Sequence, residues 1–285
     1  MTVNTVACID GSALSDTVAS YAAWSAKRMG SPLVLLNVLD DNRSGDSSDF
    51  SGRIDIDQRQ RILEEIAELE EKRAKLAREQ GQVFLQAAQE HISTEFEEPL
   101  LRQRHGNLVD ALLDIEDEVR LLVIGRQGKR GTESRRKRRI GHQVEELVRT
   151  VSRPVWVVHG EFKAPERILI AYDHSKTAQK AVSMVASSPL FKGLPVHVVM
   201  VGADSKDHQA QLHWAEQQLQ EQGFAVTTAI IAGDVEEALN AYIAEHNIHA
   251  MVMGAYGHSR IRDFFVGGHT NALVQSAQVP VLLLR

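Results

Sequence analysis

Apolar residues fall along this chain in two alternating rhythms. Short continuous runs, rich in Val, Ile and Leu, alternate with longer segments in which apolar positions recur every three to four residues. In the C-terminal part the short runs lie near 167–172, 196–201, 225–231, 248–254 and 279–284, and the helical segments near 176–187, 207–222, 234–246 and 268–277. Continuous apolar strands separated by amphipathic helices predict a parallel sheet covered on both faces. Right-handed crossovers then give a doubly wound sheet.

The pattern occurs twice. Thr5-Val6-Ala7-Cys8-Ile9-Asp10-Gly11-Ser12 is answered by Arg167-Ile168-Leu169-Ile170-Ala171-Tyr172-Asp173-His174-Ser175. Leu33 to Val38 is answered by Val196 to Val201, and Arg120 to Gly128 by His249 to Gly257. Arg153-Pro154-Val155-Trp156-Val157-Val158 is answered by Val279-Pro280-Val281-Leu282-Leu283-Leu284. Landmarks recurring in one order indicate an internal duplication. The predicted fold class is α/β, with two doubly wound, open, parallel five-stranded sheets in tandem. The predicted units are 1–160 and 161–285. Between them, His159 to Glu166 contains Gly160 and Pro165 and has no apolar periodicity, as a linker should.

The first copy departs from the second in two places. Its second helix is long, from Asp57 to about His91, with Ile62, Ile66, Leu69, Leu76 and Phe84 on a stripe suited to a sheet or a partner. Asp40 to Arg53 reads as a surface loop. The segment Lys129 to Arg139 holds seven basic residues in eleven, although the formal charge of the whole chain is −6. That segment reads either as a clamp or docking patch for an anionic partner, or as a solvated loop. No aromatic residue interleaves with it, so stacking on single-stranded nucleic acid is poorly supported. The acidic balance also disfavours nucleic acid as a partner of the whole protein.

Composition narrows the class further. Hydrophobic residues make up 43% of the 285 positions and charged residues 25%, as expected for a packed globular protein of about two domains. The single cysteine, Cys8, lies in an apolar run and reads as a core residue; no disulfide can form within the chain. No apolar stretch reaches the roughly 18 residues of a membrane span. The N-terminus lacks the features of a signal peptide, so the expected location is cytoplasmic.

Candidate chemistry concentrates where the fourth strand of each copy ends. In the second copy Gly254-Ala255-Tyr256-Gly257 is followed by nine residues and then Gly267-Gly268-His269-Thr270, at the start of a helix. Ligands of open parallel sheets bind beyond the carboxyl ends of strands, where strand order reverses. A glycine-rich turn into a helix start offers free N–H groups and a positive dipole end, which suits phosphate. Asp173, at the end of the first strand, would border the same crevice. A lone Gly-x-x-Gly is also an ordinary turn; it is the whole constellation that points to phosphate.

With these motifs the chain resembles the universal stress protein family in its tandem two-domain form, whose units are Rossmann-like. The resemblance implies an adenine nucleotide as cofactor (ATP, or AMP or ADP), with a divalent cation such as Mg2+ or Mn2+. It places Gly254, Gly257 and Gly267 on the family's glycine motif. Gly268 stands where Ser or Thr is usual, and Thr270 supplies a hydroxyl two places on. Asp173 matches the family's strand-end aspartate, and Val201 the valine whose backbone meets adenine. His269 lies between the motif's last glycines and Thr270. In the first copy Asp10, Val38, Gly125 and Gly128 match. The next glycine, Gly141, follows after twelve residues rather than nine.

The chain contains no Gly-x4-Gly-Lys-Ser/Thr and no zinc-type Cys/His spacing. Asp173 alone makes a poor general base, so any hydrolysis should be slow. The leading expectation is a stress-response protein that binds adenine nucleotide and regulates an unidentified protein partner. The alternatives are a slow ATP hydrolase or phosphotransferase, and an interaction protein whose glycines are inherited. The apolar last strands of both halves are expected to pair as an intramolecular pseudo-dimer, since apolar edges must be covered. The long helix offers a route to a homodimer.

Overall fold

A computed structural model describes residues 3–39, 56–128, 142–255 and 268–285. The N-terminal half contributes β1 (Asn4–Cys8), α1 (Ser15–Met29), β2 (Leu33–Leu39), α2 (Ile56–His91), β3 (Leu100–His105), α3 (Leu108–Leu113), β4 (Val119–Gly125), α4 (His142–Thr150) and β5 (Val155–Val158). The C-terminal half contributes β6 (Ile168–Ala171), α5 (Lys176–Ser187), β7 (Val196–Val201), α6 (Lys206–Gln220), β8 (Val226–Ile231), α7 (Val235–Glu245), β9 (Ala250–Gly254), α8 (Gly268–Ser276) and β10 (Val281–Leu284). The expected α/β class is therefore found, and the sequence-predicted strands and helices of the second copy each appear with shifts of a residue or two.

The two sheets are one. Strand order is β3-β2-β1-β4-β5-β10-β9-β6-β7-β8, ten strands in all. Within each half every pairing is parallel, and the halves meet through an antiparallel β5–β10 pair with Val281 opposite Val157 and Leu283 opposite Val155. The last strands thus pair as the apolar-edge argument expects. Because they run antiparallel, the carboxyl ends of the two five-stranded halves open at opposite edges of the common sheet.

Two apolar layers sandwich this sheet, each continuous through both halves. On one face α1, α2, α5 and α6 bury Val18, Ala22, Leu85, Val182 and Leu212 against Ile9, Leu35, Trp156 and Ile170. On the other, α3, α4, α7 and α8 bury Leu112, Leu147, Leu239 and Leu273 against Val6, Leu36, Val157 and Met251. Trp156, fully buried on β5, is the hub between the halves. Its ring lies 5.9 Å from Tyr21 of α1 and 6.0 Å, edge-on, from Phe191 of the second half.

The segment joining the halves is strapped down. Thr17 Oγ1 donates to Gly160 O (2.6 Å), Tyr21 Oη donates to Lys163 O (3.1 Å), and Phe162 packs edge-on to Tyr21 at 4.8 Å. From the other side, Arg28 donates from α1 to the carbonyls of Leu190 and Lys192.

Helix α2 divides what the sequence pattern put on one stripe. Leu85, Ala88 and Ile92 are buried, and Phe84 packs against that layer. Ile62, Ile66, Leu69 and Leu76 are exposed. The reason is axial: residues 60–76 are exposed on every side of the helix, and burial begins only near Gly81, where α2 reaches the sheet. The Asp40 to Arg53 loop and the basic Lys129 to Arg139 segment lie outside the described residues.

Replacing Trp156 by Ala should remove the hub and leave a cavity that the sheet cannot close. The expected loss is about 3–5 kcal/mol in unfolding free energy by denaturant titration, in a single transition that carries both halves together.

Candidate functional site

In each half the strand order reverses direction between two neighbours, β1 and β4 in one half and β6 and β9 in the other. In the second half Ala171 pairs with Met253. Asp173 and Gly254 therefore leave adjacent strands at the same edge, and Val201 ends β7 on the far side of β6. The sequence-predicted residues Asp173, Val201 and Gly254 thus border one crevice. Gly268, His269 and Thr270 form the first turn of α8. Gly257 and Gly267 lie outside the described residues, as does Gly141 of the first half.

Local chemistry shapes the acid's position. Asp173 Oδ1 accepts a hydrogen bond from Ser175 N at 3.0 Å, closing an Asx turn. Ser175, rather than Asp173, caps α5: its Oγ accepts from Ala178 N at 3.1 Å. Among the described residues no hydrogen bond to Asp173 Oδ2 is found. Between the two, His174 takes a left-handed φ of 59°, which costs a side-chain-bearing residue on the order of 1 kcal/mol. Its neighbours hold it there. Tyr172 Oη and His174 Nδ1 are hydrogen-bonded at 3.0 Å, and Gln179 Nε2 donates to His174 O at 3.1 Å. Tyr172 is itself stacked on Trp214 of α6, with ring centres 6.3 Å apart. Burial, and after it the Asp173 charge, raise the Tyr172 pKa, so the phenol stays protonated as a donor.

Gly254 has a packing reason. A Cβ there would lie 2.7 Å from Thr177 Oγ1 and 2.8 Å from the Thr177 carbonyl carbon, so the first turn of α5 rests directly on this glycine. The first glycine of the motif brings helix and strand tip together.

The first half repeats the arrangement. Ser12 N donates to Asp10 Oδ1 at 2.9 Å, Ser15 Oγ donates to the same oxygen at 3.4 Å, and Gly11 occupies the left-handed place of His174 with φ 72°. A Cβ at Gly128 would lie 3.1 Å from Asp10 Oδ2, so the second glycine of the first copy's motif sits against the strand-end acid. Gly125 lies under Leu14, 3.2 Å from where its Cβ would be. Two contacts set this half apart. A Cβ on Gly11 would run into the Phe84 ring, and one on Gly81 into Asn37 and Gln103. Helix α2 therefore seats on the Gly11 turn that follows β1 and on β2 and β3 at Asn37 and Gln103.

Sequence reasoning missed two residues that tie the halves together at these sites. Arg126, inside the first copy's Gly125–Gly128 turn, donates from Nη1 to the carbonyls of Gln275 and Ala277 at 3.1 and 3.2 Å. These are the C-terminal carbonyls of α8, whose other end is the candidate phosphate site. Arg285, after β10, donates to the carbonyls of Arg149 and Thr150 at the end of α4, at 2.5 and 3.1 Å. A cation at a helix C-terminus complements both the free carbonyls and the dipole. No spacing rule announces such caps, because their acceptors are over a hundred residues away.

The model for the universal stress protein family matches residues 1–159 and again 165–285. The chain belongs to the universal stress protein family. A universal stress protein of Synechocystis sp. is 30% identical over 287 residues, covering 99% of both chains. Among solved structures, a universal stress protein from Archaeoglobus fulgidus aligns with a TM-score of 0.72 at 20% identity, over 99% of this chain and 96% of that one. A functionally unknown protein from Pseudomonas aeruginosa aligns at 0.61 and 14% identity, over 99% and 92%. At these identities the two structures speak for the fold. The whole tandem arrangement of a universal stress protein is thus shared end to end.

Donor chemistry limits how a cation could be held here. Among the described residues no three His, Cys, Asp or Glu side chains gather as a metal site. Beside a lone carboxylate such as Asp173, the remaining ligands of a Mg2+-type ion would have to be water and phosphate oxygens of a nucleotide.

Two outcomes test this geometry. Gly254→Ala should destabilise the protein by about 1–3 kcal/mol, read by denaturant titration, because the backbone of Thr177 cannot step aside. Cys8, pushed up to about 12 by burial and then by the Asp10 charge, should resist a thiol reagent at pH 8 in the native protein. One thiol per chain should react once the protein is unfolded in urea.

Proposed function

We propose that the C-terminal half binds an adenine nucleotide, ATP or its AMP or ADP relatives, in the crevice between Asp173 and the start of α8, and that the protein acts as a nucleotide-dependent regulator. One observation supports this most. Asp173 and Gly254 leave neighbouring strands at the reversal of strand order, with Asp173 Oδ1 held by Ser175 N. Gly268, His269 and Thr270 open α8, whose first N–H groups have no acceptor within the helix and would be offered to phosphate oxygens. The absence of a side chain at Gly267 and Gly268 allows close approach, and the Thr270 hydroxyl adds a donor. The backbone of Val201 is the proposed partner of the adenine ring. A divalent cation would accompany the phosphates through Asp173.

Units 1–160 and 161–285 are each nucleotide-binding modules by descent on this reading, with Asp10, Val38, Gly125, Gly128 and Gly141 the first unit's corresponding positions. In that unit the Phe84 ring already rests on Gly11, so one nucleotide per chain is the expected stoichiometry. Family membership supports the nucleotide reading, and the unidentified protein partner is the target of the regulation.

Isothermal titration of the full chain with ATP and with AMP tests the proposal. Binding with a stoichiometry near one, weakened at least about 10-fold by Asp173→Ala and unchanged by Asp10→Ala, is the expected result; 10-fold corresponds to about 1.4 kcal/mol. Undiminished affinity in Asp173→Ala would move the site elsewhere. Mass spectrometry of nucleotide released from the native protein identifies the species carried.

A further inference from the structure

The first five turns of α2 stand outside the globular body. Residues 60–76 are exposed without interruption, and burial begins only where the helix reaches the sheet near Gly81. An isolated helix of this length is marginal in water, because its stability normally comes from a buried face. The exposed part nevertheless carries a regular apolar spine. Ile62, Leu69, Leu76 and Val83 fall exactly seven residues apart, and they are 42%, 61%, 59% and 60% exposed. The intermediate positions of the same repeat are Ile66, Arg73 and Gln80. A strict seven-residue apolar repeat over three heptads is the pattern of a coiled-coil seam.

The charges along the same segment say what covers that seam. Between Glu64 and Glu71 there are five glutamates and no cation; between Lys72 and Arg78 there are four cations and no acid. A helix so divided is complementary to itself when turned end for end. A twofold axis near the junction at Glu71 and Lys72 sets each acidic block beside the partner's basic block. A parallel, in-register pair would set acid beside acid and base beside base. The polar residues at the intermediate positions, Arg73 and Gln80, lie toward the basic half, where an antiparallel partner presents Leu69 and Ile62 for their stems and acids for their heads.

We propose that the projecting part of α2 is a self-association element: two copies of this chain pair through residues 62–83 as an antiparallel coiled coil. The interface is isologous, as a twofold homodimer requires. It spans about 30 Å of helix at about 1.5 Å per residue. It also lies on the helix that packs on the first unit through Phe84 at Gly11 and through Gly81 at Asn37 and Gln103.

Sedimentation of the full chain across the micromolar range tests the proposal. The expected species is a dimer. Leu69→Glu combined with Leu76→Glu, both at exposed positions, should give a monomer with unchanged near-UV circular dichroism. Orientation is read by disulfide trapping in a Cys8→Ser background. A Glu65→Cys chain mixed with a Glu79→Cys chain should cross-link to each other, while neither cross-links with itself. A wild-type chain that sediments as a monomer throughout, or a dimer that survives the double substitution, overturns the proposal. So does self-cross-linking of the Glu65→Cys chain, which would mean a parallel pair.

Discussion

The antiparallel pairing of β5 with β10 is the constraint on which the rest of the molecule depends. Val155–Val158 and Val281–Leu284 are wholly apolar and buried, and each would be a sticky edge if its half stood alone. Joined, they convert two five-stranded sheets into one sheet of ten and make both apolar layers continuous. Trp156 lies at the seam and reaches Tyr21 of its own half and Phe191 of the other. A duplicated chain has the concentration of its second copy fixed by the linker, so this edge is covered at any protein concentration.

The same pairing decides how the two crevices relate. Because the halves run in opposite directions, the crevice of one opens at the edge where the last helix of the other ends. This is why Arg126, from the first unit's glycine turn, can cap the carbonyls of Gln275 and Ala277 at the end of α8. The helix has nine residues, or about 13 Å of rise. A phosphate at its start and Arg126 at its finish would act on one rigid rod and one dipole. Arg285 does the corresponding work on α4. Each unit therefore steadies the last helix of its neighbour.

Much of this was legible in the amino-acid pattern, for identifiable reasons. Strands buried on both faces read as unbroken apolar runs, and so β7 and α5 match their expected limits to the residue. β3 was not singled out: Leu100-Leu101-Arg102-Gln103-Arg104-His105 is an edge strand with exposed leucines, and carries no apolar run to announce it. The site divides likewise. Val201 was singled out by the family resemblance alone. That Asp173 and Gly254 end neighbouring strands was legible because strand ends and glycines mark crevices in any doubly wound sheet. The role of Gly254 was not, since its reason is Thr177, on another element 77 positions away. The arginine caps were invisible for the same cause: they depend on a tertiary seam between copies.

Duplication also explains why the copies have diverged where they have. In the first unit the left-handed place after the strand-end acid is a glycine, and Phe84 rests on it; Gly81 lets α2 settle on Asn37 and Gln103. That lip is committed to anchoring a long helix. In the second unit the same place is His174, a residue for which φ 59° is strained. In the other copy the same place is a glycine, Gly11, at φ 72°. Strain that persists against an available relaxed solution requires a compensating gain, and the bonds from Tyr172 and Gln179 supply only the local part. The exposed imidazole stands next to Asp173. The strained side chain thus stands beside the strand-end acid in the half whose strand tips α2 does not touch among the described residues.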